Sequence, residues 1–217
     1  MRTAIVTGAS GNLGQAVVQK FLSEGYAVEG TGSLLMDAPH FHSVTVDLVN
    51  EEAAAEWVQA VINKHKTIDV AVLTVGGFAM ADIAGTTTAM IGQQYRLNFE
   101  TAYNVARPVF VQMIKQGTGT IFLIGSKAGM EAANSKGMIA YGLSKSLLFR
   151  LAELMNEEAA GTAVNTMVIV PSTIDTPQNR AAMPAADFSK WQTPEAIADV
   201  IFSNTKNKDS ISPVIEL

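Results

Sequence analysis

The feature that most constrains the fold is a glycine-spaced loop at the start of the chain. Thr3–Thr7 is typical of a short buried strand, and it leads into Gly8-Ala9-Ser10-Gly11-Asn12-Leu13-Gly14 and then an apolar helical pattern. Glycine permits tight turns and a close approach to a ligand, and a helix N-terminus offers free N–H groups to a pyrophosphate. The sequence therefore predicts a dinucleotide site at the exit of the first strand. The candidate contacts are Gly8, Ser10, Gly11, Asn12, Leu13 and Gly14.

Apolar runs and helical patterns alternate along the chain. The candidate strands are Thr3–Thr7, Ala27–Thr31, His42–Asp47, Val70–Val75, Thr120–Ile124, Val164–Val170 and Pro213–Leu217. The candidate helices are 13–22, 50–62, 90–115, 141–160 and 193–202. This alternation predicts a parallel sheet covered by helices on both faces. We expect an α/β fold over residues 1–217, a single doubly wound Rossmann domain with about seven strands and ligands at their carboxyl ends.

Composition excludes several classes of protein. The chain has 217 residues, a net charge of −5 and no Lys/Arg run, so nucleic acid is not an expected partner. Without cysteine there is no thiol nucleophile, disulfide or cysteine-ligated metal. The three histidines lie outside metal-ligand motifs, so no metal is expected. No apolar run is long enough to span a bilayer, which favours a cytoplasmic protein that acts on a small molecule.

The second strand bears on the choice of cofactor. An acidic residue at the end of this strand would hold the ribose hydroxyls of NAD, but Gly32 and Ser33 occupy that region and Glu29 comes two or three residues too early. Small, uncharged residues remove the repulsion against a 2′-phosphate. The sequence favours NADP and leaves NAD open.

A tyrosine and a lysine four residues apart form the second signal. On a helix, Tyr141 and Lys145 would lie on one face. A neighbouring ammonium group stabilises a phenolate and is expected to bring the pKa of the tyrosine down toward neutrality. The pair predicts a general acid/base that exchanges a proton with a carbonyl or alcohol oxygen.

Two polar residues strengthen this interpretation. Ser126 follows the apolar strand 120–124, where its hydroxyl could polarise the same substrate oxygen. Asn98 lies inside a predicted helix, where asparagine is a middling choice. We expect Asn98 to hold a water that relays protons to Lys145.

Taken together, these segments resemble the short-chain dehydrogenase/reductase superfamily over essentially the whole chain. The matching parts are Thr7–Gly14, Asp47-Leu48, Gly76-Gly77, Asn98, Ser126, Tyr141, Lys145 and 171–176. The resemblance implies an NAD(P)-dependent oxidoreductase with cofactor contacts at Asp47, Leu48, Gly76 and Gly77. It also implies that Pro171, Ile174 and Thr176 lie against the nicotinamide amide.

The same resemblance implies roles for the polar residues. It makes Tyr141 the acid/base, Ser126 the carbonyl polariser, Asn98 part of the proton relay and Lys145 both a tyrosine tuner and a ribose ligand. The interval from Ser126 to Tyr141 is about two residues longer than is usual in the family, so the intervening loop is expected to bulge.

A narrower likeness concerns the second half of the chain. Segments 137–142 and 175–191 resemble dihydropteridine reductase, although that enzyme has an acid after its second strand and lacks the serine. We therefore expect hydride transfer to or from a small carbonyl or alcohol, with pterin reduction and a non-catalytic NAD(P) sensor as alternatives. Segment 172–192 is expected to be a lid on which Arg180 meets an acidic substrate group. Surplus leucines on 141–160 predict a homodimer or homotetramer.

Overall fold

A parallel sheet forms the centre of the structure, a computed structural model that describes residues 1–33, 37–205 and 213–217. The strands within these residues are β1 Thr3–Thr7, β2 Ala27–Thr31, β3 Asp37–Ala38, β4 Phe41–Val44, β5 Val70–Leu73, β6 Thr118–Ile124, β7 Ala163–Val170 and β8 Val214–Glu216. Their spatial order is β3-β4-β2-β1-β5-β6-β7-β8. Seven strands run parallel, and the two-residue β3 pairs antiparallel with β4 at the edge. The predicted α/β fold is confirmed.

Helices connect the strands and cover both faces of the sheet. The α-helices are α1 Asn12–Ser23, α2 Glu51–His65, α3 Thr88–Tyr95, α4 Thr101–Gln116, α5 Lys127–Met130, α6 Ile139–Glu158, α7 Pro177–Ala182 and α8 Pro194–Asn204. Short 3₁₀ turns span Ala132–Ser135 and Phe188–Lys190. No helix in the described ranges is long and apolar enough to cross a membrane.

Two expected elements differ from the structure. The expected strand His42–Asp47 is β4, which ends at Val44, and Asp47 lies in a turn where its side chain accepts from the Val49 N–H at 3.1 Å. A hydroxyl or carboxyl that binds its own backbone competes with strand pairing. The helical stretch predicted over 90–115 is present, but a π-helical segment, Arg96–Glu100, interrupts its α-helical pattern between α3 and α4.

Side chains that alternate along the strands pack into two apolar cores. In β1, Ile5 packs with the core under α2, α4 and α6, whereas Ala4 and Val6 pack with the core under α1 and α8. All three are fully buried. A strand buried on both faces has to be apolar at every position, which explains the continuous apolar runs in the sequence.

The chain reverses its direction of travel across the sheet between β1 and β5. From β1 the chain moves outward through β2 and β4, and it then returns to add β5, β6 and β7 on the other side. The Thr74 hydroxyl donates to the Thr7 carbonyl at 2.7 Å and ties the two strand ends together. In such sheets ligands bind in the crevice at this reversal, and the glycine loop lies directly beside it.

Candidate active site

A crevice runs along the carboxyl edge of the sheet and contains most of the residues singled out from the sequence. Its larger cavity, about 590 Å³, is lined by Leu13, Thr74, Gly76, Phe78, Ile124, Gly125, Ser126, Lys127, Ala128, Asn134, Met138, Tyr141, Lys145, Pro171, Ser172, Thr173, Ile174, Asn179 and Met183. A second cavity of about 380 Å³ follows the glycine loop and shares Leu13, Thr74, Gly76 and Ile174 with the first. The two cavities therefore form one continuous groove.

The glycine loop is shaped by backbone contacts that a side chain would block. Gly8 has a φ of +66°, in the left-handed region that favours glycine. A Cβ on Gly14 would lie 2.0 Å from the Gly8 carbonyl oxygen, so α1 starts directly against the loop. Gly11 is the N-cap of α1 and brings no side chain to satisfy the first N–H groups. These exposed donors and the helix dipole could hold a pyrophosphate.

The end of β2 is built from small residues. The Ser10 and Ser33 hydroxyls lie 3.2 Å apart, and the Ser33 N–H donates to the Ser10 hydroxyl at 3.1 Å. A Cβ on Gly32 would lie 2.7 Å from that same hydroxyl oxygen. Gly32 therefore keeps the loop and strand in contact, and Ser33 is the exposed residue at this end of the groove.

Glu29 points away from the groove, in agreement with its early position in the strand. Its carboxylate is buried and accepts from Lys64 at 2.7 Å and from His65 at 2.6 Å, both at the end of α2. The Lys64 ammonium and the second hydrogen bond compensate the cost of burying a carboxylate. Glu29 is thus a structural link between β2 and α2.

Asp47 and Leu48 occupy different environments. Asp47 is exposed near the end of β4, whereas the Leu48 side chain is 6% exposed and packs into the core beside α2 and α4. The Leu48 carbonyl accepts from the Asn104 side chain at 2.9 Å. Of the two, Asp47 presents its side chain to solvent at this edge of the sheet.

The side chain of Asn98 organises the loop after β5. Its Oδ1 accepts from the Gly77 N–H at 2.9 Å, and its Nδ2 lies within 3.0 Å of acceptors on Gly77, Gln94 and Ser144. Asn98 is 1% exposed and lies in the π-helical segment, which explains an asparagine inside a helical pattern. A Cβ on Gly76 would come within 2.7 Å of Asn98 Oδ1, so the loop passes directly over this amide.

Tyr141 and Ser126 meet in the larger cavity. Both side chains line it, and the Phe78 ring packs edge-on against Tyr141 at 5.0 Å between ring centroids. Ser126 also caps the short helix α5 by accepting from the Ala128 N–H at 3.3 Å. The cap fixes the serine at the carboxyl end of β6, where the sequence placed it.

Lys145 is buried one helical turn after Tyr141. Its Nζ donates to the Ile124 carbonyl at 2.7 Å and lies 5.8 Å from the centroid of the Tyr141 ring. Burial lowers the pKa of Lys145 to about 8. The predicted Tyr/Lys face is therefore present, with the ammonium group held beneath the crevice by a backbone oxygen of β6.

The expected lowering of the Tyr141 pKa toward neutrality is not found. Burial raises the pKa of the phenol above its ordinary value of 10, and the interaction with the Ser126 side chain offsets only part of this rise. The physical reason is that removing water from a phenol disfavours the charged phenolate. Tyr141 consequently holds its proton at neutral pH, as a proton donor requires.

The long interval between Ser126 and Tyr141 folds compactly. The helix α5 and the 3₁₀ turn at Ala132–Ser135 absorb the additional residues, and the Ser135 hydroxyl donates to the Ala128 carbonyl. Gly129 lets this segment pack on the Lys145 backbone, because a Cβ there would lie 2.7 Å from the Lys145 carbonyl carbon. The expected bulge is thus present and leaves Ser126 beside Tyr141.

Segment 172–192 closes one side of the groove. Gln192 fastens its two ends: its side chain accepts from the Ser172 N–H at 2.9 Å and its carbonyl accepts from the Asp175 N–H at 2.8 Å. Pro171 and Ile174 line the larger cavity, and Thr176 lines the cavity at the glycine loop. A side-chain hydrogen bond of 3.0 Å from Asn12 to Gln178 ties the segment to that loop. The segment therefore lies over both cavities, as a lid would.

Arg180 does not take the position expected for it. Its guanidinium forms two hydrogen bonds with Asp175, at 2.5 and 2.7 Å, and lines a different cavity between α1 and α8. A two-pronged pair of this kind satisfies both partners. The charged residue of the larger cavity that sequence reasoning missed is Lys127, although its position directly after Ser126 could have indicated it.

The family model described as short chain dehydrogenase matches residues 2–187. The chain belongs to the short-chain dehydrogenase family. It is therefore an oxidoreductase of that family, and the resemblance drawn from the glycine loop and the Ser126, Tyr141 and Lys145 set is confirmed.

Individual relatives agree with this assignment. The chain is 28% identical over 180 residues to an uncharacterized oxidoreductase, YvrD, of Bacillus subtilis, covering 78% of this chain and 67% of that protein. It is 27% identical over 214 residues to the dihydropteridine reductase of Dictyostelium discoideum, covering 96% and 90%. A solved structure described as "ElxO with NADP Bound" has a TM-score of 0.90, covers 99% of this chain and 96% of its own, and is 19% identical. At that identity the likeness shows the fold.

The buried ammonium group generates a prediction about stability and pH. The pKa of Lys145 is about 8 in the folded protein, against an ordinary value of 10.5. Below pH 8 both states hold the proton and the folded state bears the full cost of the buried charge. Above pH 8 the unfolded chain binds more protons than the folded protein. The free energy of unfolding of wild type should therefore rise relative to that of Lys145→Met until the pH reaches the pKa of Lys145 in the unfolded chain. The expected slope is about 1.4 kcal/mol for each pH unit.

Urea unfolding of both proteins from about pH 7 to about pH 10 measures this difference. Methionine has a similar volume and does not titrate, so changes common to both proteins cancel. A difference in unfolding free energy that stays flat over this range would contradict a depressed lysine pKa.

Proposed function

We propose that residues 1–217 act as one cofactor-binding and catalytic unit that reduces a small carbonyl compound with a nicotinamide cofactor, preferentially NADPH. The observation that carries the proposal is that Ser126, Tyr141 and Lys145 line one cavity, which shares lining residues with the cavity at the glycine loop. One groove thus contains both a proton donor and the glycine loop, where folds of this kind bind a dinucleotide. Lys145 lies beneath the same groove.

Each side chain has its own role in the proposed carbonyl reduction. A bound reduced nicotinamide supplies the hydride that adds to the carbonyl carbon. Ser126 and Tyr141 donate hydrogen bonds to the carbonyl oxygen, where negative charge grows, and Tyr141 transfers its proton to give the alcohol. The buried Lys145 ammonium stabilises the resulting phenolate, and Asn98 holds the loop that forms the floor of the groove. Pro171, Ile174 and Thr176 would hold the nicotinamide end, and the glycine loop the pyrophosphate.

The central test replaces the proton donor. Tyr141→Phe removes the phenol while retaining the ring that packs on Phe78, so NADPH-dependent carbonyl reduction should fall about a thousandfold while NADPH binding persists. Ser126→Ala should cost about ten- to a hundredfold, because one hydrogen bond to the developing oxyanion is lost. Stopped-flow or steady-state cofactor oxidation measures turnover, and cofactor fluorescence measures binding.

Tyr103→Phe is the matched control, since Tyr103 is 39% exposed on α4 and lies outside the cavity. Its turnover should equal that of wild type. Wild-type turnover in Tyr141→Phe would remove the phenol from the mechanism.

The preference for NADP rests on the end of β2. Ser33 is exposed at this end of the groove and Gly32 has no side chain, so a ribose phosphate would meet hydroxyl groups of Ser10 and Ser33 rather than a carboxylate. The nearby carboxylate of Glu29 is engaged with Lys64 and His65 on the α2 side. Gly32, Ser33 and Ser10 therefore place no carboxylate of their own at this strand end.

A carboxylate introduced at position 33 tests the preference for NADP over NAD. Ser33→Asp should weaken NADPH binding at least about tenfold, because a carboxylate repels the 2′-phosphate, and should leave or improve NADH binding. Titration of cofactor fluorescence gives both dissociation constants. Ser23→Asp, on the exposed end of α1, is the control and should change neither. If Ser33→Asp weakens NADH as strongly as NADPH, the strand end does not select between them.

Pterin reduction is the second candidate. The 27% identity to a dihydropteridine reductase over 96% of the chain favours it, together with the likeness in segments 137–142 and 175–191. Ser126 favours the carbonyl substrate, because a quinonoid pterin needs less polarisation at oxygen. A panel of aldehydes, ketones and quinonoid dihydropterin under identical conditions separates the two. Turnover of the pterin alone would make it the function.

We also propose that the chain is a homo-oligomer assembled through α3, α4 and α6. Large apolar side chains on these helices remain exposed, including Tyr95, Tyr103, Leu143, Leu147 and Leu154. The Phe99 ring bridges the two tyrosines, at 5.3 Å from Tyr95 and 5.9 Å from Tyr103. An exposed apolar surface of this kind is typical of subunit contacts.

Charge on this surface should separate the subunits. Leu147→Glu places a carboxylate at the centre of the exposed row on α6 and should shift sedimentation from a dimer or tetramer toward the monomer. Glu153→Gln, on the same helix, is the control, since its side chain is exposed and pairs with Arg150. A monomeric wild type would refute the proposal.

A further inference from the structure

Two positive charges line the larger cavity among the described residues, and no carboxylate does. They are Lys127 and Lys145. Lys145 is buried, with its ammonium group hydrogen-bonded to the Ile124 carbonyl beneath the groove. Lys127 is different, because its side chain is 52% exposed and it directly follows Ser126. Lys127 is therefore the cation available to a group that enters from solvent.

The position of Lys127 places it on the substrate side of the groove. It follows β6 and reaches toward Glu216 in β8, whereas the glycine loop follows β1 on the far side of β5. Ser126, Tyr141 and Lys127 line the same cavity. A cation here meets the part of a substrate that extends away from the cofactor.

The ammonium group of Lys127 is weakly engaged. Its Nζ lies 3.8 Å from the Glu216 carboxylate, which is beyond hydrogen-bonding distance, and both side chains are about half exposed. Exposed pairs of this kind contribute little free energy. A substrate anion could displace Glu216 at small cost, in contrast to the short two-pronged pair that occupies Arg180.

The cavity walls between these polar groups are apolar. Phe78, Met138 and Met183 line the same cavity, and Phe78 packs edge-on against the tyrosine. Aromatic and methionine side chains form adaptable surfaces for a flat ring. The cavity therefore combines an apolar middle with a proton donor at one end and a cation at the other.

From this arrangement we infer that Lys127 is a specificity-determining residue that selects carbonyl substrates with a planar apolar body and a carboxylate remote from the reducible carbon. The inference deepens the proposed reductase function and rests on it. Lys127 acts through a charge-assisted hydrogen bond to the carboxylate and takes no part in the proton transfer.

Two compounds that share the ring and the aldehyde but differ in charge at the remote group test the inference. The probes are 4-formylbenzoate and its methyl ester, measured by calorimetric binding with and without NADP⁺ and by NADPH oxidation. Wild type should bind the acid about five- to tenfold more tightly than the ester. Lys127→Met should bring this ratio close to one by weakening the acid alone, with KM affected more than kcat. Raising ionic strength should reduce the advantage of the acid in wild type.

Two further variants separate a local charge effect from a general one. Lys127→Arg keeps the cation and should retain most of the preference, and Arg180→Met removes a lid cation outside the cavity and should leave it unchanged. An acid-to-ester ratio that is one in wild type, or that is unchanged in Lys127→Met, would overturn the inference. Acid-selective, Lys127-dependent binding without turnover of either probe would support it and count against the proposed reductase activity.

Discussion

One buried amide supports the geometry of the whole site. The side chain of Asn98 is bonded to Gly77 after β5, to Gln94 in α3 and to Ser144 in α6, the helix that carries Tyr141. The loop after β5, α3 and α6 are separate elements, and this one side chain bonds to all three. A buried amide has to satisfy its polar atoms, so moving any one of these elements leaves an unpaired donor or acceptor. The groove is held open by this requirement.

Burial then determines the proton chemistry. It disfavours the charged form of each group, so the pKa of Tyr141 rises and the pKa of Lys145 falls to about 8. A phenol that keeps its proton at neutral pH suits the donor in carbonyl reduction, and the nearby ammonium can stabilise the phenolate formed later. The four-residue spacing in the sequence indicates only the attraction between the two charges. Solvent exclusion, which depends on packing, raises the pKa of the phenol in the folded chain.

Local patterns predicted much of the fold because each constraint acts over a few residues. Continuous apolar runs predicted the strands because a parallel strand is buried on both faces, and glycine spacing predicted the loop between β1 and α1. The failures occurred where a side chain competes with regular structure. Asp47 bonds its own turn after the early end of β4, and Asn98 lies in a π-helical segment within the expected helix.

The sequence by itself determined the parallel α/β fold, the dinucleotide-type loop and the Ser126, Tyr141 and Lys145 set, since these depend on local spacing and on side-chain type. Tertiary structure alone decided which charges face the groove. Arg180 is turned aside by Asp175, Glu29 is held by Lys64 and His65, and Lys127 remains in the cavity. The reason is that the direction of a charged side chain depends on the packing around it and, for Glu29, on its distance from another element, which no spacing along the chain encodes.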